Sequence, residues 1–138
     1  MQNISHLELR HLEEAMIGQF VWKRPKQREN ETEADFEDRL RDTHRLMCDK
    51  DYECLSTMAL IVFVGIAYKY GFSESSVIRY LEIDKRLYDA CFGLFNKYSA
   101  IAKEKAGKRT LDFTTPAGRL YLKTSLIGNY LRHNRIAA

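Results

Sequence analysis

Proline and glycine are scarce in this 138-residue chain, two and seven in number, and short-stranded β folds depend on both for their turns. The shortage argues against a sandwich or barrel and favours helices. Cysteine is scarce too. Cys48, Cys54 and Cys91 are odd in number and too few for a disulfide framework, so reduced, intracellular thiols are expected. The opening Met-Gln-Asn-Ile-Ser-His-Leu-Glu lacks a basic segment followed by an apolar one, so no secretory signal is expected and the location is read as cytoplasmic. A P-loop, a glycine-rich dinucleotide turn, a His-Glu-x-x-His pair and a nucleophile elbow are all missing, which points away from an enzyme and from a cofactor. His44, Cys48 and Cys54 offer three soft ligands. Structural zinc sites need four, in tight pairs, so no metal is expected.

What the chain does have is one long uncharged run, Leu55 to Tyr68, flanked by Asp49, Lys50, Asp51 and Glu53 on one side and Lys69 on the other. A segment apolar all round must be covered all round, in a protein core or in a membrane. Fourteen residues rise about 21 Å as a helix, short of the roughly 30 Å hydrocarbon core. The run is therefore expected as the buried central helix, at about 53–70, of a non-membrane domain. Apolar residues at 45% and charged residues at 30% suit a single globular domain over 1–138.

The rest of the chain reads as helices around that post. Ser5 and Glu8 form a capping box ahead of Leu9, Leu12, Met16, Ile17 and Phe20, a first helix reaching about Val21. The basic run Lys23-Arg24-Pro25-Lys26-Gln27-Arg28 breaks it and meets acidic residues at once, which suits a solvated linker. Thr32 caps a second helix with Phe36, Leu40, Thr43 and Met47 on one face. Residues 1–50 thus read as an acidic N-terminal helical pair and 51–138 as a core with basic C-terminal helices. Gly71 suits the left-handed residue that ends the central helix. Gly107 is expected to end a later long helix. Thr115-Pro116 starts the last one, with Leu120, Leu122, Leu126, Ile127, Tyr130 and Leu131 inside and Arg119, Lys123 and Arg132 outside.

Residues 73–98 carry the functional expectation. Ser73 caps a short helix with Val77, Ile78 and Leu81; Ile83 sits in a turn; Asp84 caps a second helix with Leu87, Ala90, Cys91, Leu94 and Tyr98. This is the apolar skeleton of a helix-turn-helix, in which a short helix braces one that enters the major groove. Its turn commonly holds glycine, and this chain has Glu82.

Ala67-Tyr68-Lys69-Tyr70, Phe72-Ser73 and Val77-Ile78-Arg79-Tyr80-Leu81 resemble the C-terminal DNA-binding domain of the bacterial chromosomal replication initiator, within the tryptophan-repressor-like helix-turn-helix group. The resemblance spans about residues 55–98 and implies the scaffold, a long buried helix ahead of the motif. Where that family has Gly-Gly-Arg-Asp-His and then Ser/Thr-Thr-Val, this chain has Glu82-Ile83-Asp84-Lys85-Arg86-Leu87. It is two residues shorter and has no Asp-His pair, so the family's base and phosphate contacts do not carry over.

Charge extends the expectation past the motif. Residues 1–54 hold nine Lys/Arg against thirteen Asp/Glu, a net of −4, while residues 55–138 hold thirteen against six, a net of +7. A polyanion or an acidic protein partner would suit the second half, and an ordinary solvated surface explains the same charges. The expected fold is all-α, five to six helices around the central one. The expected function is DNA binding of a regulatory or replication-related kind. Lys85, Arg86, Asn96 and Lys97 on the second motif helix and Lys105, Lys108 and Arg109 beyond it are the candidate contacts. The competing expectation is a non-enzymatic protein-interaction module on a degenerate helix-turn-helix scaffold. Asp89 and an outward Phe92, better placed against another helix or a second subunit of a homodimer, favour it.

Overall fold

The computed structural model describes residues 6–17, 26–41 and 52–134. Six helices lie within them: α1 (His6–Ile17), α2 (Glu33–Arg41), α3 (Tyr52–Lys69), α4 (Glu74–Leu81), α5 (Lys85–Gly107) and α6 (Pro116–Asn134). No strand occurs among the described residues, and the fold is all-α.

The uncharged run becomes α3, and every residue from Thr57 to Ala67 is buried because α1, α4, α5 and α6 surround it. Each fully buried Leu, Ile, Val or Phe there contributes about 1.5–3 kcal/mol of apolar transfer. No helix among the described residues is long and apolar enough to cross a membrane. The helix stops where Gly71 takes φ 85°. The amide of Phe72 donates to the carbonyl of Ala67 at 3.0 Å, and that of Gly71 to Tyr68 at 3.1 Å, which satisfies two terminal carbonyls of the helix. Phe72 is itself buried and joins the core.

Neighbouring helices are fixed to this post by side chains of particular shape. Phe95 of α5 lies directly on Gly65 of α3, so that a methyl group at Gly65 would overlap its ring. Phe63 stacks on Tyr80 of α4, with ring centroids 6.0 Å apart and planes 1° from parallel. The Tyr80 hydroxyl donates to Glu13 of α1 at 2.8 Å. On the far side, the Tyr70 hydroxyl donates to the carbonyl of Gly128 in α6 at 3.3 Å. Leu9, Leu12 and Met16 fill the inner face of α1. In α2, Thr32 accepts from the Asp35 amide at 3.1 Å, and Phe36 and Leu40 are buried. The two N-terminal helices have separate supports: α1 packs on α3, α4 and α6, whereas α2 packs on α5.

The last helix faces a different way from the one its sequence suggests. Ala117, Leu120 and Ile127 are buried, while Leu122 and Leu126 are 38% and 39% exposed. Arg119 and Lys123 are half-buried instead of outside. The reason lies at the start of α6. Pro116 follows the Thr115 cap, whose hydroxyl accepts from the Gly118 amide at 3.2 Å, and the carbonyl of Asp112 sits against the bare Cα of Gly118. That close approach fixes the rotation of the helix and turns Leu122 and Leu126 outward. Burial accordingly holds the Lys123 ammonium below its ordinary range, with Arg119 adding repulsion. Ser5, Phe20, Val21, Lys23, Arg24, Pro25, Thr43, His44, Met47, Cys48, Asp49, Asp51 and Arg135 lie outside the described residues, as do the side chains of Glu8, Ile17, Cys54, Tyr130, Leu131 and Arg132.

Two glycine substitutions should therefore move stability in opposite directions. Gly65→Ala gains about 1 kcal/mol of helix propensity but forces a methyl group into the Phe95 ring. Such overpacking costs about 1–3 kcal/mol, and the net expectation is a lower urea midpoint. Gly93→Ala, on the open face of α5 where an added Cβ would meet nothing within 4 Å, should raise stability by about 0.5–1 kcal/mol. Urea titration followed by circular dichroism reads both.

Candidate nucleic-acid interface

Local chemistry builds the two-helix unit much as its sequence suggests. Ser73 sits in extended backbone and its hydroxyl accepts from the Ser76 amide at 3.2 Å, capping α4. Asp84 does the same for α5, accepting from the Leu87 amide at 2.8 Å. Between them Glu82 occupies the left-handed region, φ 56° and ψ 45°, and the amide of Ile83 donates back to Ile78 at 3.2 Å. Val77, Leu81 and Leu87 are buried and Ile83 half-buried, so the turn is pinned from beneath. A non-glycine residue in that conformation costs about 1 kcal/mol.

The second helix is rotated slightly from expectation. Phe95 is buried and Leu94 only half-buried, because the ring and not the leucine fits the gap over Gly65. Phe92, expected outward, is also half-buried. It lies edge-on to Tyr68 with centroids 4.8 Å apart and stacks on Tyr88 at 6.1 Å. Tyr68 remains 60% exposed. Cys91 is fully buried, which pushes its thiol up to about 12 and leaves it unreactive packing. No cluster of three metal-ligating side chains occurs among the described residues.

Lys85, Arg86, Asn96, Lys97, Lys105, Lys108 and Arg109 are all exposed on or just beyond α5, but they do not form one patch. At 1.5 Å per residue, Arg86 and Lys108 stand about 30 Å apart along the helix. The N-terminal members are already engaged. Lys85 reaches Glu74 at 2.9 Å and Asp89 at 3.7 Å, and the hydrogen bond to Glu74, with Asp89 nearby, holds its ammonium above the ordinary lysine range. Arg86 reaches Glu37 of α2 at 3.0 Å, and the buried Glu37 carboxylate also takes Arg41. Further along, Asn96 is open to solvent and Lys97 rests over its neighbour Tyr98, 5.7 Å from the ring centroid.

The C-terminal end of α5 is the more open cationic part. Lys105, Lys108 and Arg109 surround the helix terminus, and among the described residues only Lys108 has an acidic partner, Glu104 at 3.0 Å. Gly107 does not supply the left-handed residue there. Arg109 does, at φ 57°, with the amide of Thr110 donating to Lys105 at 2.8 Å. Glu37 and Tyr68 are the two participants that sequence reasoning does not single out. One lies within an acidic run and the other within an apolar one, and nothing local distinguishes either.

No protein-family model matches the chain, and neither the curated proteins nor the solved structures include a match to it.

The turn itself gives a direct test. Glu82→Gly relieves the left-handed strain and should raise stability by about 0.5–1 kcal/mol, seen as a higher thermal midpoint. A drop would show that the Glu82 side chain contributes more than its backbone costs.

Proposed function

We propose that the chain is a non-enzymatic DNA-binding protein of the helix-turn-helix type, regulatory or replication-related, whose affinity comes mainly from phosphate contacts. The observation that carries this reading is a capped helix–turn–helix unit running into an almost unopposed cationic strip. From Asn96 to Arg109 five basic residues (Lys97, Lys103, Lys105, Lys108, Arg109) face one acid, Glu104. Such a strip attracts a polyanion without regard to sequence. Asn96, in the middle of the exposed face, is the residue with base-reading chemistry, a donor and an acceptor side by side. Lys85 and Arg86 contribute less, since each must leave a carboxylate before meeting a phosphate.

That same neutralisation favours a second reading, a protein-interaction module on the same scaffold. Tyr68 is the specific observation behind it. A large exposed ring backed by Phe92 and Tyr88 is the kind of amphipathic anchor that protein interfaces use, for a second copy of the chain or an acidic partner.

Binding to a mixed-sequence duplex at 50 and 200 mM salt separates the two. On the DNA reading, alanine at Lys105, Lys108 and Arg109 together flattens the log–log salt slope by about 2–3 and weakens binding by roughly tenfold or more at the lower salt. Tyr68→Ser then leaves DNA affinity within about twofold. Wild-type protein without salt-sensitive binding would reject the DNA reading, and loss of self-association in Tyr68→Ser would support the second.

A further inference from the structure

A groove of about 930 Å3 runs between the C-terminal end of α3, the second half of α5 and α6, on side chains that, Lys103 apart, the DNA reading leaves unused. It exists because the facing helices bring small residues together there, Ser99, Ala102 and Ala106 from α5 against Ser125 and Gly128 from α6. Its size lies near the top of the roughly 300–1,000 Å3 range of small-molecule sites, and its floor is buried and apolar, formed by Ile66, Ala102 and Leu120.

The charge of the groove is one-sided. Lys69 and Lys103 line it and no carboxylate does. Neither lysine has an ion-pair partner among the described residues, and Lys69 instead stands 6.0 Å over the Phe95 ring. Two uncompensated ammonium groups at one cleft attract an anion, and compact, strongly hydrated ammoniums suit phosphate oxygens. The volume is far larger than phosphate alone requires, so the anion carries a body. Ser99, Ser125 and Asn129 line the same walls. An acyl chain would desolvate them without replacing their hydrogen bonds, a cost that disfavours a fatty acid. A flat heterocycle with donors and acceptors on its edge meets them, and Tyr121, 41% exposed beside the groove, offers a ring for it to stack on.

We infer that this groove is a nucleotide-binding site, with Lys69 and Lys103 on the phosphate and Tyr121, Ser125 and Asn129 around the base. The inference does not rest on the DNA reading: the groove shares only Lys103 with the five basic residues of the cationic strip, and the variants that test DNA binding leave Lys103 in place.

Isothermal titration of the full chain with AMP, ATP, inorganic phosphate and laurate, in separate runs without DNA, tests it. AMP or ATP should bind with a Kd of about 10–500 µM, as drug-sized ligand efficiencies imply, and inorganic phosphate at least tenfold more weakly. Lys69→Ala with Lys103→Ala should weaken nucleotide binding at least tenfold with unchanged circular dichroism, both side chains being exposed. Ser125→Leu, which fills the groove and leaves the charges in place, should weaken it as much. Three results would each overturn the assignment: no nucleotide binding by millimolar concentration, a double variant that binds like wild type, or laurate bound in preference to nucleotide.

Discussion

The ring of Phe95 resting on the bare backbone of Gly65 sets how closely α5 approaches α3, and most of the molecule takes its position from that approach. With α5 held there, Cys91, Tyr98 and Ala102 close over the post on either side of the contact, and α6 packs against both helices. Packing at this density transmits any change in volume. A single methyl group at residue 65 would displace α5, and α5 carries the turn, the cationic strip and one wall of the groove. The uncharged run of α3 thus supplies both the apolar bulk and the one gap in it that fixes the geometry.

Electrostatics divide α5 along its length. Its first turns lie among the chain's own acids, Glu74, Asp89 and Glu37, and its last turns lie among basic residues with Glu104 as the exception. A helix that reads bases with its N-terminal end normally keeps that end free. Here that end is neutralised internally and the charge available to a polyanion is displaced about 30 Å toward the C-terminus. The proposed mode of binding is therefore dominated by the backbone of the nucleic acid, with Asn96 as the exposed amide on the helix that can pair with an adenine edge.

Much of this was legible from short-range patterns. Ser73, Asp84, Thr32 and Thr115 were recognisable as caps because a cap is decided within three residues. Gly71 was recognisable as a terminus because few other residues accept its backbone angle. The limits of α3 were clear because charged residues bracket it. What could not be read depends on partners distant in sequence. Leu94 and Phe95 are adjacent and both apolar, and only the gap over Gly65 selects the ring. Leu120, Leu122, Leu126 and Ile127 encircle α6, and the Asp112 carbonyl against Gly118 chooses the inner pair. Arg86 meets Glu37 across 49 positions, a pairing that no periodicity announces. Arg109, not the nearby glycine, takes the left-handed turn, since the hydrogen bonds of the terminus fall two residues beyond Gly107.

The support of α2 has a consequence for motion. Nine residues are too few for a stable helix in isolation, and α2 leans on α5 through Phe36, Leu40 and the Glu37 carboxylate. Local opening free energies track such contacts, so its amides should exchange with solvent well before those of α3 or α5. Opening there would shift a net charge of −2, four acids against two arginines, away from the two-helix turn and release Arg86 from Glu37 at the same moment. Such an opening would change the charge presented beside the two-helix turn while the core around Gly65 stayed closed.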